Sequence, residues 1–289
     1  MPLQARHIFL TGQPGVGKTT LACAAVKEQP ASCGFYTAEK RAAAGEREGF
    51  SVVALGSGET GTLASLGRGK AMVGKYCVDV ASFERVALPS LEASASSPIT
   101  LIDEVGKMEL FSPLFLPRVE AILTSGEATV LGTLPMPRYG HTIASVEALR
   151  AHPDVAVVKL TKANREAAAL AVRAVVAAAA ARPRPGAPLD VSALVDFLQD
   201  GQEEKLLQAQ GAGPGAPLEA AAQQPVAAVA AMAPAAVGAV AAVAPAAPPL
   251  LGERPRVLLL GETASAAPAP GELPYAERSM WAVRGLSAA

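Results

Sequence analysis

The stretch His7-Ile8-Phe9-Leu10-Thr11-Gly12-Gln13-Pro14-Gly15-Val16-Gly17-Lys18-Thr19 decides how the rest of the chain is read. Residues 7–11 are a short apolar run stopped by glycine, the pattern of a strand buried on both faces of a parallel sheet. Gly12 to Thr19 then match G-x-x-x-x-G-K-[ST] in full. Lys18 to Glu28 (KTTLACAAVKE) follow as a helix-forming run, halted near Gln29-Pro30. Strand, glycine-rich loop and helix together are the context that separates a phosphate-binding loop from a chance match. The glycines allow a tight turn, so successive backbone N–H groups converge on an anion. The helix starting at Lys18 points its positive dipole end at the same place. Lys18 adds a cation for the β- and γ-phosphates, and Thr19 offers a hydroxyl to Mg2+.

Hydrolysis needs a second element. Pro98–Asp103 (PITLID) reads as another buried strand, which delivers two adjacent acids, Asp103 and Glu104, at its C-terminal end about 85 residues downstream of Lys18. Ligands of open α/β sheets bind at that end. Consecutive strand residues face opposite ways, so the two acids cannot share one job. Asp103 is placed to hold the Mg2+ hydration shell, and Glu104 to act as general base for an attacking water. An Asp-Glu pair of this kind belongs to the P-loop class with its own catalytic glutamate. That class has one strand between the loop strand and the acid strand, and the neighbouring strand ends in a polar residue that senses the γ-phosphate. Thr133, closing Ala128–Thr133 (ATVLGT), stands at that place. Lys107, Arg138 and Arg165 are nearby basic residues that could neutralise transition-state charge.

Working outward, Gly34–Ala38 and Gly49–Leu55 read as a hairpin, and Gly56 to Gly74 as a Gly/Ser/Thr-rich loop. Helical spacing covers Asp79–Ala93, with Phe83, Val86, Ala87 and Leu91 on one face and Pro89 interrupting. It also covers Leu114–Thr124, Thr142–His152 and Lys162–Ala181. Val155–Leu160 is a further strand. Strands alternating with helices imply an α/β fold, a mostly parallel sheet covered on both faces.

The composition shifts after Ala181, which marks a domain over 1–181. Residues 1–181 hold 18 Lys+Arg against 16 Asp+Glu and nine of the twelve aromatic residues. An Ala/Pro-rich linker is expected over 182–255, largely disordered, with one amphipathic helix over 191–208. Between Ala220 and Leu250 there are sixteen alanines and five prolines, too many breakers for a membrane span. Removing everything after Ala181 is then expected to leave activity intact. The net charge of −1 gives no basic field for specific nucleic-acid binding. Cys23, Cys33 and Cys77 form no CxxC and suit a reducing, cytoplasmic compartment, and His7, His141 and His152 have no metal-ligand spacing. Because the first apolar run is committed to the nucleotide motif, no signal peptide is expected.

These motifs in order carry a resemblance. HIFLTGQPGVGKTTL (His7–Leu21), GFYTAEKR (Gly34–Arg41), REGFSVVAL (Arg47–Leu55), GKYCVDVASFERVALPSL (Gly74–Leu91), LIDEVGKMELFSPLF (Leu101–Phe115), VLGTLPMP (Val130–Pro137) and VVKLTKANR (Val157–Arg165) are similar to the cancer-related nucleoside-triphosphatase family of small P-loop enzymes. The likeness runs from about Arg6 to about Ala169, and DEVGKMELFS combined with GFYT is its specific part. It implies a compact α/β domain of the RecA/AAA-like kind and Mg2+-dependent hydrolysis of nucleoside triphosphates with loose base preference. It implies nucleotide binding by Gly12, Gln13, Pro14, Gly15, Val16, Gly17, Lys18, Thr19 and Thr20. Gly106 and Lys107 would border the nucleotide, Glu104 would be the base, Lys18 and Thr133 would assist catalysis, and Thr19 and Asp103 would hold the metal. Residues 256–286 faintly resemble the opening of the uracil-DNA-glycosylase superfamily, which would make them a truncated second domain. A nucleoside or nucleotide kinase and a slow nucleotide-dependent switch are the competing readings. The oligomeric state is left open.

Overall fold

The computed structural model describes residues 2–211, apart from 30, 44, 93–96, 138–140, 183 and 185. Arg138, the expected linker beyond residue 211 and the segment 256–289 lie outside the described residues.

The strands in chain order are β1 (Gln4–Ala5), β2 (His7–Gly12), β3 (Cys33–Arg41), β4 (Arg47–Ala54), β5 (Thr60–Leu66), β6 (Met72–Val73), β7 (Tyr76–Val78), β8 (Ile99–Ile102), β9 (Thr129–Thr133), β10 (Val155–Leu160) and β11 (Leu189–Asp190). The helices are α1 (Lys18–Lys27), α2 (Val80–Glu92), α3 (Phe115–Ser125), α4 (Ala144–Ala151), α5 (Arg165–Ala180) and α6 (Gln202–Gly211). Nine strands form one sheet in the order β10-β2-β9-β8-β3-β4-β5-β7-β6, and β1 pairs separately with β11. The run from β10 to β3 is parallel. From β3 onward the sheet continues antiparallel. The fold is thus α/β with a mostly parallel central sheet, and β9 is the one strand between the loop strand β2 and the acid strand β8.

Strand alternation divides the apolar residues between two cores. Ile8 and Leu10 of β2 join Leu21 and Val26 of α1 and Val172 and Val176 of α5. Phe9, between them, joins the other side with Phe83 of α2, Val119 of α3 and Leu149 of α4. There Phe35, Phe83 and Phe115 meet edge to face, with ring centroids 5.6, 5.8 and 5.2 Å apart. As the helical spacing requires, Phe83, Val86, Ala87 and Leu91 are the buried residues of α2, which runs through Pro89. His7 is buried and structural. Its Nδ1 accepts the Val130 N–H at 3.1 Å and its Nε2 donates to the Leu123 carbonyl at 3.0 Å. Burial pushes its pKa down to about 3, so the ring is neutral.

Two expectations need correction. The loop read over Gly56–Gly74 contains β5, and β7 follows it. Strand β5 is poor in β-branched residues, and its pairing with β4 and packing under α2 hold it extended. A side chain at Gly61 would strike Ser82 and Val86 of that helix. The domain also does not stop at Ala181. Leu189, Val191, Leu194 and Leu206 are buried in the α1–α5 core. The single helix expected over 191–208 is a 3-10 turn at Ser192–Phe197 followed by α6, because Gly201 takes a φ of +79° and Leu198 is extended against β10. At ~2 kcal/mol per fully buried aliphatic side chain, these four residues contribute an amount comparable with a typical domain's whole stability of about 5–15 kcal/mol. Truncation after Ala181 should therefore lower the melting temperature by more than ~10 °C or give insoluble protein. A truncated chain that melts with the full one would show that residues 189–211 add nothing to the fold.

Candidate active site

Strand β2 ends at Gly12, where a Cβ would stand 2.5 Å from the Leu160 carbonyl oxygen. The chain then turns through Gln13, Pro14 and Gly15, all exposed, and plants Val16 back in the core. Gly17, in the left-handed region at φ +105°, caps α1 directly before Lys18. Lys18 is almost wholly buried, and its Nζ donates to the Gly12 carbonyl at 3.3 Å. Its ammonium therefore lies over its own loop. Thr20 points to solvent.

Asp103, at the end of β8, is 1% exposed. Its Oδ1 accepts the Thr19 hydroxyl at 3.0 Å and the Thr133 hydroxyl at 2.7 Å. Its Oδ2 accepts both the backbone N–H and the hydroxyl of Thr37, each at 3.2 Å. Burial pushes this carboxyl above the usual carboxylate range, and the bonds from Thr133, Thr37 and Thr19 pull it back. A hydroxyl and a carboxylate 3.0 Å apart, both oxygen donors, suit a hard cation such as Mg2+. Among the described residues no cluster of three or more His, Cys, Asp or Glu could hold a metal by itself. A small cation that takes most of its ligands from phosphate and water fits that donor set.

Glu104, half-buried, follows through a cis peptide bond. The next residue donates its N–H to the Thr133 carbonyl at 3.0 Å, which ties the loop after β8 to the end of β9. A Cβ at Gly106 would lie 2.7 Å from Glu104 Oε1 and 3.1 Å from Glu109 Oε2, so both carboxyl groups approach this glycine closely. Glu109 Oε2 accepts the Gly106 N–H at 3.1 Å. Burial, and then the charge of Glu104, push the Glu109 carboxyl up to about 8, so it is protonated at neutral pH. Lys107 is exposed beside this turn, and Arg165 is exposed at the start of α5.

The structure joins Thr19, Asp103 and Thr133 by hydrogen bonds, while the Lys18 side chain turns back to the Gly12 carbonyl. Two residues that the sequence reading left without a role belong with them. Thr37 lies inside the GFYT stretch, and the parallel pairing of Phe35 with Ile102 carries it to Asp103. Glu109 lies inside GKMEL, and the 3-10 turn at Glu109–Phe111 returns its side chain to Gly106.

Glu109 gives a pH prediction. Its ordinary value is 4.5 and its folded value about 8, so the folded state binds the extra proton between them. Stability from this group is complete below pH 4.5 and is lost as pH rises to about 8, a change on the order of a few kcal/mol. Glu109→Gln should melt with the wild type near pH 4 and above it at pH 8. A gap that stays constant with pH would show that the carboxyl is not held neutral.

The NTPase family model matches residues 7–172. The cancer-related nucleoside-triphosphatase of Homo sapiens is 46% identical over 176 residues, which span 56% of this chain and 91% of that protein. The nucleoside-triphosphatase THEP1 of Pyrococcus abyssi is 39% identical over 132 residues, 44% of this chain and 73% of that protein. Among solved structures, the human cancer-related nucleoside triphosphatase superposes with a TM-score of 0.52 at 42% identity, covering 62% of this chain and 100% of that one. The crystal structure of THEP1 from Aquifex aeolicus gives 0.51 at 33% identity, covering 57% and 95%. With that match over more than half of its length, the chain belongs to the NTPase family of nucleoside-triphosphatases.

Proposed function

We propose that this nucleoside-triphosphatase hydrolyses nucleoside 5'-triphosphates, ATP and GTP among them, to nucleoside diphosphate and phosphate with Mg2+ as cofactor. The observation that supports this most is the Asp103 carboxylate, held between Thr19 of the phosphate loop and Thr133 of the neighbouring strand, with Glu104 next in the chain. Backbone N–H groups of the loop from Gly12 to Thr19 take the phosphates at the start of α1. Lys18 exchanges the Gly12 carbonyl for phosphate oxygens. Thr19 and Asp103 would hold Mg2+, which when bound neutralises charge on the phosphates. Glu104 accepts a proton from a water whose oxygen bonds to the γ-phosphorus. The bond from that phosphorus to the bridging oxygen breaks, and its electron pair leaves on the diphosphate. Thr133 keeps Asp103 oriented throughout.

Phosphate release from ATP, GTP, CTP and UTP with Mg2+ and no acceptor tests the reaction. It also separates hydrolysis from a kinase, which needs an acceptor. Glu104→Gln should lower kcat ~100-fold or more and leave Mg2+–nucleotide affinity within about threefold. Lys18→Ala should weaken triphosphate binding and abolish turnover. Equal loss of binding in both variants would refute the roles given to them.

Thr37→Val retains the backbone donor to Asp103 and removes the hydroxyl. It should raise the Mg2+ concentration for half-maximal rate ~10-fold. An unchanged Mg2+ requirement would leave Thr37 with a packing role only.

A further inference from the structure

Residues Leu198–Lys205 lie beyond the family match, which ends at residue 172. They are folded against β10, the edge of the large sheet. Leu198 pairs antiparallel with Val158, and the Gln199 N–H donates to the Val157 carbonyl at 2.8 Å. From there the segment grips one residue at both ends. Gln199 Oε1 accepts the Arg150 Nη1–H at 2.6 Å. Gln202 Nε2 and Lys205 Nζ both donate to the Arg150 carbonyl, at 3.1 and 2.9 Å. Lys205 also donates to the Val155 carbonyl and to Gln202 Oε1.

Arg150 itself is 5% exposed and reaches toward the phosphate site. Its Nη2 donates to the Thr11 hydroxyl at 3.1 Å and to the Pro135 carbonyl. Its Nε lies 3.3 Å from Glu147. Thr11 immediately precedes Gly12, whose carbonyl takes the Lys18 ammonium. Pro135 stands two residues past Thr133, which holds Asp103. A planar guanidinium with donors on several sides can fix these groups at set spacings, which a lysine cannot.

We propose that the Leu198–Lys205 segment is a positioning element for the phosphate-binding site, acting through Arg150 on the start of the 12–19 loop and on the end of β9. The two sides that Arg150 ties are those that deliver Lys18 and Thr133. Their spacing sets the reacting geometry more than it sets ground-state affinity, and small misplacements of catalytic groups cost rate steeply. The inference rests on reading the 12–19 loop as the phosphate site.

Gln199→Ala and Gln199→Glu in the full chain test it, with nucleotide-free hydrogen exchange, melting and steady-state kinetics on each. Gln199→Ala removes the oxygen that holds Arg150 and leaves the backbone pairing of residue 199 in place. It should lower kcat about tenfold with KM within about threefold. It should also speed amide exchange in peptides covering 8–17 and 130–137 more than elsewhere. Gln199→Glu retains an acceptor for the guanidinium and should restore both readouts. Wild-type kcat and exchange in Gln199→Ala would overturn the proposal. So would a lower melting temperature with uniformly faster exchange and unchanged kcat, or a Gln199→Glu variant as impaired as Gln199→Ala. The exchange arm needs no nucleotide, so it judges the Arg150 link even if Glu104 proves not to be the base.

Discussion

One buried carboxylate fixes where its neighbours stand. A charge removed from water is costly unless hydrogen bonds replace the lost solvation. Asp103 receives four such bonds from three threonines. Each threonine comes from a different element: Thr19 from α1, Thr37 from β3 and Thr133 from β9. Satisfying that single group therefore holds α1 and both strands that flank β8 to one point. Any shift among the three leaves a buried acceptor short of a donor, which costs about 1–3 kcal/mol.

Register makes this convergence possible. Ile102 pairs with Phe35 on one side and with Gly132 on the other. Parallel strands end together, so the residues just beyond those pairs emerge side by side at the carboxyl edge of the sheet. Gly132 has a packing reason as well. A Cβ there would lie 2.2 Å from the Phe9 ring, so any larger residue would push β9 away from β2. Glu109 is the complementary case. Its desolvation opposes folding at neutral pH, and it adds nothing to the apolar core. Buried titratable groups that cost stability concentrate at sites with work to do.

The parts of the fold legible in the sequence were those whose signal is local. The apolar runs 7–11, 98–103 and 155–160 have the length and flanking residues of buried strands, and the glycine spacing from Gly12 to Gly17 is dictated by the turn it must make. What escaped the sequence depends on distant partners. Thr60–Leu66 has the composition of a loop, and only its pairing with β4 and its cover by α2 make it a strand. Thr37 sits in a stretch visible as a motif, yet its role follows from a parallel pairing with residues far along the chain. Glu109 had no role in the sequence reading, and its burial follows from a 3-10 turn that composition does not announce. Gln199 and Lys205 carried no signal, because the partner of each is a carbonyl or a guanidinium some 50 residues away.

The same physics accounts for the segment past Ala181 being folded at all. β10 is an outer strand of the large sheet, and an open edge presents unpaired N–H and C=O groups to any chain that approaches. Leu198 and Gln199 pair with its outer side at Val158 and Val157. Lys205 takes the Val155 carbonyl at its start. Leu194 and Leu206 bring the segment's apolar side into the α1–α5 core. Edge protection and core burial are sufficient reasons for the segment to stay. Once it is there, Arg150 lies between it and Thr11, and a contact made for stability also reaches the residue that precedes the 12–19 loop.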